Sequence, residues 1–558
     1  MSRFLCRIFK VLAGACSLTV LAAVSCTEQG PERFQAPGFG KVEVSVSGFR
    51  ATVQCRLSNA ESSFSYGFIL KGNGDGSPRT IPLEPKNGLL RTEIKGLDES
   101  CDYSIHAFAD NGINRALSEE EHFSTPGAGS VINMPDSVFC SIILNEYDSN
   151  DDGQLSPAEA AAISNIKLST DNIADLAGIE YFTNLESLIC RGSGTDKGKR
   201  TGRLTRVDLS RNKNLRHVEV DGNNISELIL PANTSNIEEI HCIENKIESL
   251  DLSGCPKLRL LYCWCNNLSS IDVSACPYLR DLRCAQNDFS NGLDLSANEE
   301  LRILACNNTF MQDIDVSANK ELVELMCWDN AIKDIDISNN KELLKLECSN
   351  NLLKQIDLSH NSQLNILTCR NNFLKELDLS HNPDLTVLSC DNNLLTNIDI
   401  AMLVRLKDLS VGDNNISETL DLSRFKNLTN YGGNNLPLKA VPDFTQNPNL
   451  ESIHICGSGG ALYIDESFFR NFPDIKDFNI CCYPGDSLDL SLNSKMCRLW
   501  MSDMPNVRIL DLSASPHLSY ICINEDGKLE KVYVHKDVDI SRLEIEAFNC
   551  NASIEHKQ

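Results

Sequence analysis

Leu258-Arg-Leu-Leu261-Tyr-Cys263-Trp-Cys-Asn266-Asn-Leu268 is followed, 21 residues on, by Leu279-Arg-Asp-Leu282-Arg-Cys284-Ala-Gln-Asn287-Asp-Phe289. The same line returns as Leu322…Cys327…Asn330, Leu343…Cys348…Asn351, Leu364…Cys369…Asn372 and Leu385…Cys390…Asn393. Cysteines fall at 242, 263, 284, 306, 327, 348, 369 and 390, in steps of 21 residues with a single step of 22. Self-similarity at a fixed period of this size predicts a solenoid, in which each repeat buries its apolar residues against its neighbours. Each line supplies one short strand whose second Leu and Cys point inward. The Asn three residues after the Cys turns inward too and satisfies backbone groups at the bend, since buried N–H and C=O groups need partners. That column reads Asn223, Asn245, Asn266, Asn287, Asn330, Asn351, Asn372, Asn393 and Asn414. The rung at Cys306-Asn-Asn308-Thr309 departs from it, and its extra residue predicts a local bulge.

The pattern L-x-x-L-x-C-x-x-N-x-L resembles the leucine-rich repeat, with Cys in the third apolar slot. The resemblance implies a mainly β solenoid of about 21-residue rungs with little helix, spanning 166–558, regular over 215–416 and irregular after. Beyond Asn415, Leu450…Ile455, Ile475…Ile480, Leu518…Ile523 and Leu529…Val534 read as further rungs, about fifteen in all. The other half of each rung, as at Leu250–Ser253, Ile356–Ser359 and Leu377–Ser380, places an Asp between two apolar residues. This predicts a second short strand rather than a helix.

Upstream, Met1–Ser25 reads as a signal peptide, with Arg3, Arg7 and Lys10 before the apolar run Val11–Val24. Leu21-Ala-Ala-Val-Ser25-Cys26 resembles the lipobox of bacterial lipoproteins, although Ala23 stands where leucine is usual. The resemblance implies lipidation of Cys26 and a tether over residues 26–40; cleavage without lipidation is the alternative. Residues 41–127 alternate, as in Val42-Glu-Val-Ser-Val and Ala51-Thr-Val-Gln-Cys55, and predict strands. Gly96-Leu97-Asp-Glu-Ser-Cys-Asp-Tyr103 resembles the fibronectin type III signature, in which a Leu lies six residues before the Tyr of the tyrosine corner. That implies a β-sandwich spacer, in which Cys55 and Cys101 are a candidate pair.

Residues 128–165 hold Asp148-Ser-Asn150-Asp-Asp152-Gly153-Gln154-Leu155-Ser156-Pro-Ala-Glu159. Ca²⁺ needs six to eight hard oxygens on a flexible loop. Asp148, Asn150 and Asp152 offer side-chain oxygens, Gln154 its carbonyl, Ser156 a water-bridged position and Glu159 a bidentate carboxylate. This run fits the EF-hand loop, and the alternative reading is a solvated acidic turn. No second such loop occurs, so the run predicts a structural Ca²⁺ site in a helical cap rather than a sensor. A helical cap before the repeats resembles the internalin group of leucine-rich-repeat proteins. Within the solenoid, residues 191–202 form a basic insertion carrying Lys197, Lys199 and Arg200.

Net charge is −26 over 558 residues, which argues against nucleic-acid backbones and anionic membranes and would suit a cationic partner or bound metal. The 24 cysteines would suggest disulfides in an exported chain, but the ladder places eight of them in one apolar column as small buried hydrophobes. No nucleophile elbow, HExxH, phosphate loop or dinucleotide fingerprint is present, so the chain is not read as an enzyme.

The ladder fixes which residues face out. Two of the three Trp stand in one outward column, three rungs or roughly 14 Å apart at about 4.8 Å per rung. His241, Tyr262, Trp264, Arg283, Met326 and Trp328 form the candidate ligand patch, because large exposed aromatics mark binding surfaces. Mutual covering of these rings is the competing reading. The sequence thus describes a monomeric, lipid-anchored protein of the bacterial envelope, its outer membrane in particular. It would bind a protein or glycan partner through the concave face of the solenoid. The alternative is a structural or envelope-assembly component with no diffusible ligand.

Overall fold

The computed structural model describes residues 37–557 except 48–49, 73–76, 96, 99–100, 126–130, 194–200, 233–235, 458–467, 469–470, 482, 484, 503, 505, 525–527 and 549–551. The signal segment, Cys26 and Lys197, Lys199 and Arg200 lie outside the described residues.

The N-terminal unit consists of two antiparallel sheets. One joins Gly38–Phe39, Glu43–Ser47, Arg50–Ser58 and Leu89–Ile94, and the other Ser65–Gly72, Arg79–Leu83, Asp102–Asp110, Arg115–Leu117 and Glu121–Ser124. The alternation predicted for Ala51–Cys55 is realised: Ala51, Val53 and Cys55 are buried while Thr52 and Gln54 are partly exposed. Tyr103 is buried and stacks on Phe123 at 5.4 Å. Cys55 and Cys101 are not joined in a disulfide.

In the second unit, helices Ser137–Tyr147 and Pro157–Ala161 precede the coil. Asp136 caps the first, accepting the N–H groups of Val138 and Phe139 at 3.0 Å. A capping box between Ser156 and Glu159 starts the second. Phe139, Ile143, Leu155 and Ala160 are buried in one continuous core with Ile166 and Leu168 of the first strand, Asn165–Ser169. The helices therefore close the apolar end that the first rung would otherwise expose.

The coil itself stacks an 18-stranded parallel sheet among the described residues, from Asn165–Ser169 to Glu544–Phe548. Most strands are three residues long, as in Leu260–Tyr262, Asp281–Arg283 and Ile303–Ala305. Register is in line, with Leu261 facing Leu282 and Leu282 facing Leu304. The Leu and Cys columns are fully buried, and Cys190 extends the Cys column toward the cap. At each bend the Asn ties two rungs together. Asn266 donates through Nδ2 to the carbonyls of Cys242 at 2.9 Å and Cys263 at 3.0 Å, and accepts the Ile247 N–H at 3.0 Å. The residue before it takes a left-handed conformation, as at Asp329, Asn350, Asn371 and Asn392, with φ between 51° and 55°. Asn and Asp tolerate that conformation better than other side chains.

Four expectations are corrected. The extra residue near Cys306 causes no bulge there: Ile303–Ala305 keeps its register on both sides. It is absorbed one turn earlier, where Gly292 takes a φ of 84° that needs no Cβ to be accommodated. Thr309 then fills the Asn position, donating to the Cys306 carbonyl at 2.7 Å. Secondly, Leu529…Val534 is not a rung of the long sheet. Lys531–Val534 belongs to a four-stranded sheet with Ser487–Asp489, Ile509–Leu512 and Ser553–His556, in the other half of the turns. Thirdly, besides Asn165–Ser169 at the cap, two rung strands went unread, Asn430–Gly432 and Arg498–Ser502. Their third apolar slots hold Gly433 and Met501 instead of Cys; the Tyr431 ring lies so close that a Cβ at Gly433 would meet its Oη at 2.5 Å. Finally, among the described residues the Leu-Asp-Leu-Ser half is assigned strand only near the two ends of the coil, beginning with Arg206–Asp208 and Glu227–Ile229. In the regular middle it is held by turns, because Asp251, Asp272, Asp357 and Asp378 each accept the N–H of the Ser two residues on, at 2.9–3.0 Å.

Burial pushes the ladder thiols far above their ordinary range, to about 12 at Cys190 and Cys327. Since the thiolate is the nucleophile, Cys242 to Cys390 should resist a thiol reagent in the native protein and react only on unfolding. Mass spectrometry of alkylated peptides with and without guanidinium checks this; native labelling of the column would contradict it. A second outcome follows from the bend. Asn351 donates to the carbonyls of Cys327, Cys348 and Ser349 at 3.0–3.1 Å. Asn351→Ala should cost roughly 1–3 kcal/mol in denaturant unfolding, whereas Asn350→Gly, at a left-handed position, should be nearly neutral.

Candidate functional site

The outward face of the long sheet displays the residues at alternate positions of each strand. In-line register places His217 beside Glu239, Glu219 beside His241, His241 beside Tyr262 and Tyr262 beside Arg283. The rings use this spacing. His217 meets His241 edge-on at 5.5 Å, His241 stacks on Tyr262 at 4.5 Å and Tyr262 lies 5.9 Å from Trp264. The Arg283 guanidinium covers the other side of Tyr262 at 5.0 Å, a cation–π contact. Asp281 locks the group: it accepts the Tyr262 hydroxyl at 2.8 Å and Arg283 Nε at 3.0 Å. That hydrogen bond to Asp281 holds the Arg283 pKa above its ordinary value, and burial raises Tyr262.

Four of the six predicted patch residues, His241, Tyr262, Trp264 and Arg283, are therefore one cluster. The rings cover each other, as the competing reading held, yet remain half-buried on the face as a fixed platform. Met326 and Trp328 share its columns but stand three strands from Tyr262 and outside the stack; Met326 Sδ faces Lys345 Nζ at 3.8 Å.

Sequence reasoning missed two groups. At the near end, Glu219 is 1% exposed and Asp221 half-buried, both beside His241. Burial raises the Asp221 carboxyl to about 6, and burial together with His217 lowers His241. At the far end, Trp500 packs on Tyr520 at 5.0 Å and His454 at 5.5 Å, with the Arg498 guanidinium 5.7 Å from its ring. Arg498 is held by Asp477 through two bonds of 2.7–2.8 Å. All three Trp thus lie on this face. The third was legible only once Met501 was seen to replace Cys in its rung.

The residues predicted to hold Ca²⁺ converge on the loop between the cap helices. Asp148 Oδ2 accepts the Gly153 N–H at 2.8 Å, Asn150 Oδ1 that of Asp152 at 3.0 Å and Asp152 Oδ1 that of Gln154 at 2.8 Å. Glu159 reaches back across the loop to Ser149 Oγ at 2.7 Å and to the Ser156 N–H at 2.9 Å. These hydrogen bonds, the Ser156 N–H first, hold the Glu159 pKa down to about 2. Asp148 Oδ1 is buried with no hydrogen-bond partner. Oxygen donors, a left-handed Gly153 and an orphaned carboxylate oxygen are what a hard cation requires. Of the basic insertion, only the base is described: Asp171 accepts the Ser193 N–H at 2.9 Å and Thr201 Oγ1 at 2.6 Å.

The columns, the bends and the outward strand face together decide the architecture. The fold is a leucine-rich-repeat solenoid. The functional domain of InlJ from Listeria monocytogenes, described as including a cysteine ladder, is similar at 26% identity over 72% of this chain and 82% of that one, with a TM-score of 0.53. An internalin, inlF, of the same species matches at 21% identity over 62% of this chain and 95% of its own, with a TM-score of 0.48. YopM, a leucine-rich effector protein from Yersinia pestis, matches at 20% identity, covering 57% and 83% of the two chains with a TM-score of 0.45. No protein-family model and no curated protein sequence matches the chain. Among the described residues no helix is long and apolar enough to cross a membrane.

Proposed function

We propose that this chain is a lipid-anchored envelope protein, held at the outer membrane through Cys26, that recognises a protein partner through the outward face of its long sheet. The observation that carries the reading is the platform of His241, Tyr262, Trp264 and Arg283, fixed by Asp281. Rigid aromatic planes with a paired Arg are the residue types that dominate interface energetics, because little conformational entropy is lost on binding. A second platform at Trp500 lies eleven strands further along the sheet, roughly 50 Å at about 4.8 Å per strand. A partner engaging both must be of macromolecular size, which favours a protein over a short glycan. The sandwich at residues 41–127 serves as a fibronectin type III-like spacer, and the chain acts as a monomer without catalysis.

The soluble ectodomain, displayed to host-protein and glycan arrays, tests this reading. Tyr262→Ala combined with Trp264→Ala should lose at least tenfold in affinity for whatever protein the wild type captures, with the melting temperature nearly unchanged. Equal binding by the double variant would sink the reading, and capture of glycans alone would replace protein by glycan.

Ca²⁺ is proposed at Asp148, Asn150, Asp152, the Gln154 carbonyl, Ser156 and Glu159, where it would cross-link the two cap helices. A ligand that binds only the folded state stabilises it. Calcium should therefore raise the melting temperature of the wild type, and the shift should vanish in Glu159→Ala. A wild type indifferent to Ca²⁺ and to chelator would remove the site.

A further inference from the structure

We propose that Glu219, Asp221 and His241 form a binding site for a divalent transition-metal ion of the Zn²⁺ class, distinct from the Ca²⁺ loop. One carboxylate oxygen from each acid and one imidazole nitrogen lie within 4.8 Å of one another. The fold creates this grouping. Glu219 ends the strand His217–Glu219, Asp221 follows two residues on and points to the same side, and His241 is the in-register neighbour of Glu219 on the next strand. Two carboxylates and an imidazole suit borderline ions that favour nitrogen and oxygen, and three protein ligands leave coordination positions open. Ca²⁺ prefers six to eight oxygens, which this trio lacks.

The surroundings are those of a built site. Glu219 is 1% exposed, a burial that a carboxylate tolerates beside a cation, and here the Arg191 guanidinium supplies it. His241 Nε2 is buried without a hydrogen-bond partner. Asp221 is oriented by the Ile243 N–H, which it accepts through Oδ1 at 2.8 Å, leaving Oδ2 to coordinate. His217 holds the position of Glu219, its Nε2 lying 3.5 Å from Glu219 Oε2 while Nδ1 lies 2.9 Å from Glu239 Oε2. This arrangement of outer groups is the kind that fixes ligand geometry in metal sites. Arg191, on the preceding rung, forms an ion pair with Glu219. Its side chain is 55% exposed, so the guanidinium can swing into solvent as an incoming cation takes over its charge.

Titration of the full exported chain with Zn²⁺, in excess Ca²⁺ and followed by calorimetry, tests the site, and Co²⁺ spectra separate nitrogen–oxygen ligation from thiolate ligation. The expected result is one ion per chain without thiolate charge-transfer bands. His241→Ala and Glu219→Gln should each weaken binding at least tenfold with unchanged circular dichroism. Arg191→Ala should bind as tightly as the wild type or more so, because it removes the competing cation. If His241→Ala and Glu219→Gln are folded and bind Zn²⁺ like the wild type, or if the Co²⁺ spectrum is that of thiolates alone, the assignment is overturned. Should Glu219→Gln fail to fold, His241→Gln decides by the same criterion.

Discussion

The side-chain amide of the inward Asn is the constraint on which the solenoid depends. A three-residue strand must bend sharply at its end, and the bend turns the Cys and next-residue carbonyls toward the core. At Asn393 the Nδ2 group donates to the carbonyls of Cys369, Cys390 and Asp391 at 3.0–3.2 Å. Its Oδ1 accepts the Leu374 N–H at 3.0 Å. One amide thus serves two rungs, and leaving such acceptors unpaired would cost about 1–3 kcal/mol each. Because the bend falls at the same residue in each of the regular rungs, the outward side chains there keep their columns. The stack of His241 on Tyr262 is a consequence of that register as much as of its own contacts.

The same geometry explains why the ladder cysteines are not bridged to one another. Neighbouring strands are about 4.8 Å apart, while bridged cysteines bring their Cβ atoms to about 3.8 Å. Parallel Cβ vectors in one column also point the same way rather than toward each other. Burial raises the pKa of each thiol, and neighbouring thiols add to this at Cys263 and Cys284. Without thiolate there is no nucleophile for exchange. Cys serves as a small apolar filler, and where the column runs out, Val411, Ile455 and Met501 fill it equally well.

The regular rungs were legible because period, inward columns and outward columns follow from the same few positions. His241, Tyr262, Trp264 and Arg283 could be placed on one face from spacing alone. Their mutual locking by Asp281 could not, since spacing gives neighbours and not rotamers. Met326 and Trp328 share the columns but lie beyond contact range, which column reading does not distinguish. Two far rungs escape the pattern, where Tyr431 with Gly433 replaces the Leu–Cys pair and Met501 follows Leu499 in place of Cys; Trp500 is lost with the second. Glu219, Asp221 and His241 stand in outward columns, but their ligand atoms converge only across adjacent rungs, a relation that position within a single repeat does not contain.

Much of the net negative charge lies away from the outward face of the long sheet. Much of the acid sits in the turns of the other half of each rung, where Asp272, Asp294, Asp336 and Asp357 are occupied by Ser N–H groups at 2.9–3.0 Å. On the sheet face several of the charges are matched. Arg283 pairs with Asp281 at 3.0 Å, Lys345 with Glu347 at 3.2 Å, Arg370 with Asp391 at 3.0 Å and Arg498 with Asp477 at 2.7 Å. A partner drawn only by a general acidic field would gain little on such a surface, since exposed pairs are screened and already satisfied. Covering these pairs costs desolvation, so the favourable energy must come from the aromatic planes between them, with the charges deciding which partner fits. Binding to this face should accordingly depend more on Tyr262, Trp264 and Trp500 than on ionic strength.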